Sequence, residues 1–169
     1  MPPAVPLADL PRIDEHVVTV AAPPDAVWDA VFAALGAAFA GPAARAGAAL
    51  LGCRPAAASG WERQAVGSAV PGFAVVTAER PHLLVVAGRH RFSRYGIVVR
   101  IERGAAGAVC RAESRAAFPG LHGALYRQAV VGTGGHVLAV RRLLAGIRQA
   151  AERAAAAAQA AAPRPPGRT

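Results

Sequence analysis

Apolar and polar residues recur with a helical period over residues 118–151. Apolar side chains are spaced three or four residues apart there, and charged residues mostly take the opposite side of the predicted helix. The apolar stripe consists of Val137, Val140, Leu144, Ile147 and Ala151. The segment is interrupted once, by Gly132, Gly134 and Gly135. The pattern predicts a long amphipathic helix in two parts, whose apolar face needs a sheet to cover it.

Several of the preceding segments have the period of two and the β-branched composition that strands favour. Strands are predicted over residues 13–21, 61–67, 73–79, 82–91, 94–102 and 109–118. A helix is predicted over residues 26–39 and a shorter one over residues 43–52, with Gly41 and Pro42 between them. The order of elements therefore predicts an α+β fold in which a sheet of about six antiparallel strands packs against the C-terminal helix.

Strand alternation also sorts the side chains of the last predicted strand into two faces. One face carries Cys110, Ala112, Ser114, Ala116 and Phe118, and the other carries Arg111, Glu113 and Arg115. The first face is predicted to be dry or to line a cavity, and the second to be wet. The charges of the second face either pair as a ladder with Arg100 and Glu102 of the neighbouring strand or form only a solvated face.

The length of 169 residues suits one domain. We predict a Pro-rich arm over residues 1–12, the folded domain over residues 13–153, and a flexible tail over residues 154–169 that is first Ala-rich and then rich in Pro and Arg. No secretory signal is recognisable, and no apolar run reaches the length of a membrane span. These features predict a cytoplasmic protein without a transmembrane segment.

The formal net charge is +9, and every basic residue is an arginine. Such a surface attracts nucleic acid or anionic lipid non-specifically, but no specific nucleic-acid partner is predicted. Cys53 and Cys110 are predicted to be reduced, because two cysteines are too few for a disulfide framework. The sequence has no nucleophile elbow, no metal-binding motif, no phosphate-binding loop and no dinucleotide fingerprint, so neither a cofactor nor a metal is predicted.

Two segments resemble the START-like superfamily, also called SRPBCC, which includes polyketide cyclases, aromatases and lipid-transfer domains. In the opening segment IDEHVVTVAAPPDAVWDAVFAAL, the matching residues are Pro24, Val27 and Trp28. The closing segment is similar to an uncharacterised bacterial branch at Leu125, Tyr126 and His136. The resemblance implies a helix-grip fold, in which an apolar tunnel between the curved sheet and the long C-terminal helix serves binding, transport or cyclisation.

Polar candidates for a site fall into two groups. In the hairpin GRHRFSRY, alternation predicts that His90 faces inward, while Arg89 and its neighbouring arginines either recognise an acidic group or are solvated tip residues. His122 and Tyr126 are four residues apart and are predicted to share a helical face, and His136 follows the glycine break. The histidines of this group are either hydrogen-bonded core residues or polar groups that contact a ligand or do acid-base chemistry. The residues predicted to contact a ligand are Trp61, Phe73, Arg89, His90, Phe92, Tyr95, Phe118, His122, Tyr126 and His136.

Three functions are compatible with the sequence. The favoured one is binding of a small hydrophobic or amphipathic molecule, such as a lipid, a polyketide-like compound or a quinone-like compound. The second is a cyclase or aromatase-like enzyme acting on a carbonyl-rich substrate, with Tyr126, His136, His90 and an arginine as its polar groups. The third is a basic module that binds nucleic acid or an anionic membrane through Arg89, Arg91 and Arg94. No catalytic residue is assigned.

Overall fold

The computed structural model describes residues 7–162, apart from the side chains of Ala8 and Ala40. It has the predicted α+β architecture. The strands are β1 (Arg12–Val20), β2 (Ala69–Val70), β3 (Phe73–Glu79), β4 (Leu83–His90), β5 (Ser93–Gly104) and β6 (Gly107–Ala117). The helices are α1 (Pro24–Ala40), α2 (Pro42–Leu51), α3 (Gly120–Arg127) and α4 (Gly135–Ala161). Short 3-10 turns occupy Leu7–Asp9 and Trp61–Arg63, and a π-helical turn occupies Gln128–Gly132.

The six strands form one antiparallel sheet in the order β1-β6-β5-β4-β3-β2. The first strand therefore pairs with the last, with Val18 opposite Cys110, and β5 pairs with β6, with Ile97 opposite Ser114. The predicted separation of the two faces is confirmed on the inner side, because Cys110 and Ala112 are buried against the helices. This arrangement of a curved sheet and a long C-terminal helix is compatible with a helix-grip fold.

The part of α4 from Leu144 onward packs on α1 and β1 and forms a solid core. Leu144, Ile147 and Ala151 of the predicted stripe are buried there with Trp28 of α1 and Val20 of β1. This part of the interface is filled by side chains, so any cavity under α4 lies towards its N-terminal end.

The break in the C-terminal helix lies where it was predicted. The segments Gly120–Gly132 and Gly135–Ala161 meet at an angle of 51°. Gly134, which precedes α4, has a φ of 75°, a left-handed conformation that glycine adopts without steric cost. Within residues 7–162 no single helix is long and apolar enough to cross a membrane, although two bent helix pairs pass that test of length and composition together.

The strand predicted over residues 61–67 is wrong. Trp61 lies in a 3-10 turn, where its indole Nε1 donates a hydrogen bond of 2.9 Å to the carbonyl oxygen of Phe32. Gln64, at the end of this turn, has a φ of 51°, which is incompatible with a strand. The sheet gains its edge strand instead at Ala69–Val70, outside the predicted strands. Tertiary packing of the indole overrides the local strand propensity here.

The predicted domain boundaries differ from the structure at both ends. Leu10 is buried, and the carbonyl oxygen of Pro11 accepts a hydrogen bond from the amide of Ala116, so the described end of the predicted arm is part of the fold. Helix α4 continues through the predicted tail to Ala161, and Ala155 is buried in the core. The remaining parts of the predicted arm and tail, residues 1–6 and 163–169, lie outside the described residues.

The predicted charge ladder is present on the outer face of the sheet. The carboxylate of Glu113 lies 3.2 Å from a guanidinium nitrogen of Arg100 and 2.6 Å from Nε of Arg115, and Arg111 lies 3.9 Å from Glu102. Glu113 is not solvated as predicted, because only 7% of its side chain is exposed. Burial alone would raise the pKa of Glu113, but hydrogen bonds from Arg115 and Arg100 outweigh burial and lower it.

Candidate ligand-binding cavity

A cavity of about 790 Å³ lies between the inner face of the sheet, the C-terminal end of α1 and the helices α2, α3 and α4. Helix α4 contributes only residues between Gly135 and Leu143, consistent with the solid packing of the helix from Leu144 onward. Most of the wall is apolar, and its larger apolar side chains include Phe39, Leu51, Phe73, Ile97, Phe118 and Leu143. The cavity thus occupies the part of the sheet that the core helices leave uncovered.

Aromatic rings gather at one end of this cavity. The ring centre of His90 lies 4.7 Å from that of Tyr126, in an edge-on arrangement, and 5.3 Å from that of Tyr95. Tyr126 also stacks on Phe92 with ring centres 5.7 Å apart. Tyr95 also meets Phe73 edge-on at 5.1 Å. These contacts hold the rings of His90, Tyr95 and Tyr126, all of which line the cavity, in defined orientations.

The hydrogen bonding of His90 defines which ring nitrogen carries its proton. The backbone amide of Phe92 donates a hydrogen bond of 3.1 Å to Nδ1 of His90, so Nδ1 must carry a lone pair. Burial lowers the pKa of His90, which favours the neutral imidazole. A neutral ring that accepts at Nδ1 has its proton on Nε2. His90 therefore offers an N–H donor.

The two cavity tyrosines are also hydrogen-bond donors. Burial, together with the nearby Cys53 thiol, raises the pKa of Tyr95 far above its usual value, and burial raises that of Tyr126 in the same direction. Both phenols are therefore protonated at neutral pH. The hydroxyl of Tyr95 lies 3.8 Å from Sγ of Cys53, a weak acceptor, and Cys53 itself lines the cavity.

A second polar group lies near the start of α4. Nε2 of His136 is 3.1 Å from the hydroxyl of Ser114 and 3.5 Å from Oδ2 of Asp14, which is also 3.3 Å from Nε2 of His16. Ser114 and Asp14 thus meet the same ring nitrogen. A nucleophilic triad needs the nucleophile and the orienting carboxylate on different nitrogens of the histidine base, so this group is not built as one.

Asp14 is the site residue that sequence reasoning missed. It lies an even number of residues before Val18 and Val20 in β1, and the side chains of these two residues pack against the core. Because alternate residues of a strand share a face, the sequence could have predicted that Asp14 and His16 face inward. The other carboxylate oxygen, Oδ1, is buried and has no hydrogen-bond partner among residues 7–162. Within the same residues no group of three or more His, Cys, Asp and Glu side chains is arranged to hold a metal ion.

Six of the ten residues predicted to contact a ligand line this one cavity. They are Phe73, His90, Tyr95, Phe118, Tyr126 and His136. They come from β3, β4, β5, α3, α4 and the link that follows β6, and the curvature of the sheet brings them together.

The other four predicted contacts do not line the cavity. Trp61 belongs to the core around Phe32, and Phe92 lies behind Tyr126 as a support for its ring. Arg89 is exposed on the β4–β5 hairpin, where strand alternation turns it away from His90. His122 is exposed although Tyr126 is half-buried, so their spacing of four residues does not bring both into contact with the cavity.

The two cysteines are free and buried, in agreement with the prediction of reduced thiols. Their surroundings differ. Cys110 lies in the closed core, and burial raises the pKa of its thiol to about 12. Cys53 faces the cavity beside Tyr95, so it is the thiol that a small molecule entering the cavity can reach.

Comparison with known proteins supports the fold alone. No protein-family model matches the chain, and no curated protein matches it. Among solved structures, it is similar to protein CV1439 from Chromobacterium violaceum, with 14% identity and a TM-score of 0.56 over 84% of this chain and 99% of that chain. It is also similar to a protein from Rhodobacter sphaeroides, with 16% identity and a TM-score of 0.50 over 85% of this chain and 91% of that one.

Proposed function

We propose that the protein binds one small, mainly apolar molecule in the cavity between its sheet and the α3–α4 segment. The observation that carries this proposal is the cavity itself, whose volume of about 790 Å³ falls within the range of small-molecule sites. Its wall is apolar over most of its area, with a few polar groups at two places. A ligand that buries its apolar surface there is stabilised by the hydrophobic effect, and the polar groups select its orientation.

The proposal includes membership of the START-like superfamily. The helix-grip arrangement supports it, and so do the opening segment around Pro24 and Trp28 and the closing segment around Tyr126 and His136. Members of this superfamily use the space between the sheet and the last helix for apolar ligands. The cavity lies in that space here.

A second function, a cyclase-like enzyme, is favoured by one specific observation. His90 and His136 line the same cavity although they come from β4 and α4. Acid-base chemistry requires a donor and an acceptor that face one bound substrate. Incubating the protein with linear and cyclised carbonyl-rich compounds and analysing the products by mass spectrometry tests this function. Conversion that is lost in both His90→Gln and His136→Gln supports it, and the absence of turnover leaves binding as the function.

Native mass spectrometry of the protein incubated with a bacterial lipid and metabolite extract tests the binding proposal. We expect one non-covalent adduct per chain that disappears on denaturation. A cavity-filling variant, Gly47→Phe, should lose the adduct, because Gly47 lines the cavity and a side chain there meets open space. The matched control is Gly146→Phe, an exposed helical glycine outside the cavity that also has open space around it. An adduct that survives in Gly47→Phe would contradict binding in the cavity.

A further inference from the structure

The hydrogen-bond donors at the aromatic end of the cavity lack acceptors. Nδ1 of His90 is occupied by the amide of Phe92, which leaves Nε2–H as the outward donor. In the described part of the chain, neither this nitrogen nor the Tyr126 hydroxyl has a hydrogen-bond partner. The Tyr95 hydroxyl has only the distant Cys53 sulfur. Three donors from β4, β5 and α3 therefore stand around one end of the cavity.

Among the described residues, Oδ1 of Asp14 is the only buried side-chain polar atom without a partner, so these donors are open to the cavity. A ligand that fills the cavity displaces water from them and must accept their hydrogen bonds, because a donor left unpaired in apolar surroundings is costly. The charges nearby indicate what kind of acceptor fits. No Asp or Glu of the described residues lines the cavity, and its only charged residue, Arg115, pairs with Glu113 on the outer face. A carboxylate ligand would thus lack a dedicated cation at the donors, whereas a neutral oxygen needs none.

The rings around these donors also indicate the shape of the ligand. Tyr126 is held by stacking on Phe92, and Tyr95 is held edge-on by Phe73. Tyr126, Tyr95 and Phe73 line the cavity, so their rings supply flat aromatic surfaces to its wall. Flat surfaces of this kind favour a planar, conjugated ligand, because stacked and edge-on aromatic contacts add to the burial of apolar area.

We infer that the ligand is a planar conjugated carbonyl compound, whose neutral carbonyl oxygen accepts hydrogen bonds from Nε2 of His90 and from the hydroxyls of Tyr95 and Tyr126. The inference rests on the proposed binding function and adds the chemical class of the ligand. The carbonyl oxygen lies at the aromatic end of the cavity. The apolar body of the ligand extends from there towards Ile97 and Leu143, which line the remaining wall.

Two matched probes test the inference: 9-fluorenone and fluorene. They have the same planar tricyclic skeleton, and only fluorenone carries a carbonyl group. We expect the wild-type protein to bind fluorenone about fivefold or more tightly than fluorene, the gain that one net hydrogen bond provides. The carbonyl stretching band of bound fluorenone should lie at lower frequency than in an apolar solvent, as hydrogen bonding requires.

The variant Tyr126→Phe removes one donor and keeps the ring that stacks on Phe92. It should reduce the preference for fluorenone over fluorene by about fivefold and shift the carbonyl band back towards its apolar value. Tyr95→Phe should act in the same direction. Leu143→Ala, which changes only the apolar wall, is the control and should change the affinity for both probes by the same factor. Thermal unfolding confirms that each variant is folded.

The outcomes separate the inference from the binding function. Equal affinities of the wild-type protein for the two probes would overturn the inference while cavity binding stands. The same holds if neither tyrosine variant changes the preference for fluorenone over fluorene or the frequency of the carbonyl band. If neither probe binds, but the protein forms adducts with the lipid and metabolite extract that Gly47→Phe loses, the inference alone is overturned. Failure of both the probes and the extract experiment would remove the proposed function and the inference together.

Discussion

Nε2 of His136 lies 3.1 Å from the hydroxyl of Ser114 and so joins the first turn of α4 to β6. The contact follows directly after the bend at Gly134, where the two parts of the helical segment change direction. It holds the wall of the cavity against the sheet at the end where α4 is not packed into the core. The N-terminal turn of α4 therefore depends on this polar contact more than its C-terminal half does.

The first prediction concerns this contact. Ser114→Ala should lower the free energy of unfolding by about 1 kcal/mol and speed amide hydrogen exchange in residues 128–140, while exchange in residues 144–155 stays unchanged. Hydrogen exchange with mass spectrometry measures both segments in one experiment. Equal acceleration of hydrogen exchange in the two segments would contradict a local effect of the contact between Ser114 and His136. Ser93→Ala, another buried serine near the cavity, is the control.

The second prediction concerns the protonation of His90. Its pKa in the folded protein is lowered by burial, so the unfolded chain binds a proton at higher pH than the folded chain does. The free energy of unfolding should therefore fall as the pH drops below the unfolded pKa of about 6.5. His90→Gln should reduce this slope. Nitrogen-15 NMR of the imidazole should find the proton on Nε2 at pH 7, and a proton on Nδ1 would contradict the assignment.

The third prediction concerns the ion pair between the β3–β4 turn and α1. Two guanidinium nitrogens of Arg80 lie 2.9 and 3.1 Å from the carboxylate oxygens of Asp29, and this hydrogen bonding lowers the pKa of Asp29. Both side chains are about half exposed, so Arg80→Gln should cost less than about 1 kcal/mol at pH 7.

The pH dependence of this cost follows from the direction of the pKa shift. The contribution of Asp29 is fully present above its unfolded pKa and is lost as the pH falls through the lower folded value. The difference between wild type and Arg80→Gln should therefore shrink below pH 4, as measured by urea unfolding at a series of pH values. A difference that is constant down to pH 2 would exclude the ion pair as its cause.

Periodicity predicts the parts of the fold that depend on local sequence. The stripe of α4 and the inner face of β6 have regular spacing, and both lie where they were predicted. The 3-10 turn at Trp61 was missed because its geometry comes from a contact with Phe32, far away in the sequence. Glu113 was predicted to be solvated because alternation gives the face of a residue but not what covers that face.

The candidate site was predictable to a similar extent. Alternation along β4 predicts that His90 faces inward, and the structure has this orientation. The contact of His136 with Asp14 was not predictable, since Asp14 approaches it only after β1 pairs with β6. A spacing of four residues put His122 beside Tyr126, but helix spacing alone does not determine which of two neighbours faces the sheet.

The fourth prediction concerns the two thiols. Iodoacetamide should modify Cys53 and leave Cys110 unmodified in the folded protein, because Cys53 lines the cavity whereas Cys110 is fully buried and its thiol has a pKa of about 12. Saturating fluorenone should slow the reaction of Cys53. Peptide mapping after timed labelling measures both rates. Faster labelling of Cys110 than of Cys53 would contradict the described cavity.

The most direct test of the account is equilibrium binding of one neutral hydrophobic probe, N-phenyl-1-naphthylamine, followed by its fluorescence. We expect saturable binding of one probe per chain to the wild-type protein and to Gly146→Phe, and at least about tenfold weaker binding to Gly47→Phe, because the added ring occupies the cavity. Absence of saturable binding to the wild type, or equal binding to all three proteins, would contradict the claim that this cavity holds a ligand.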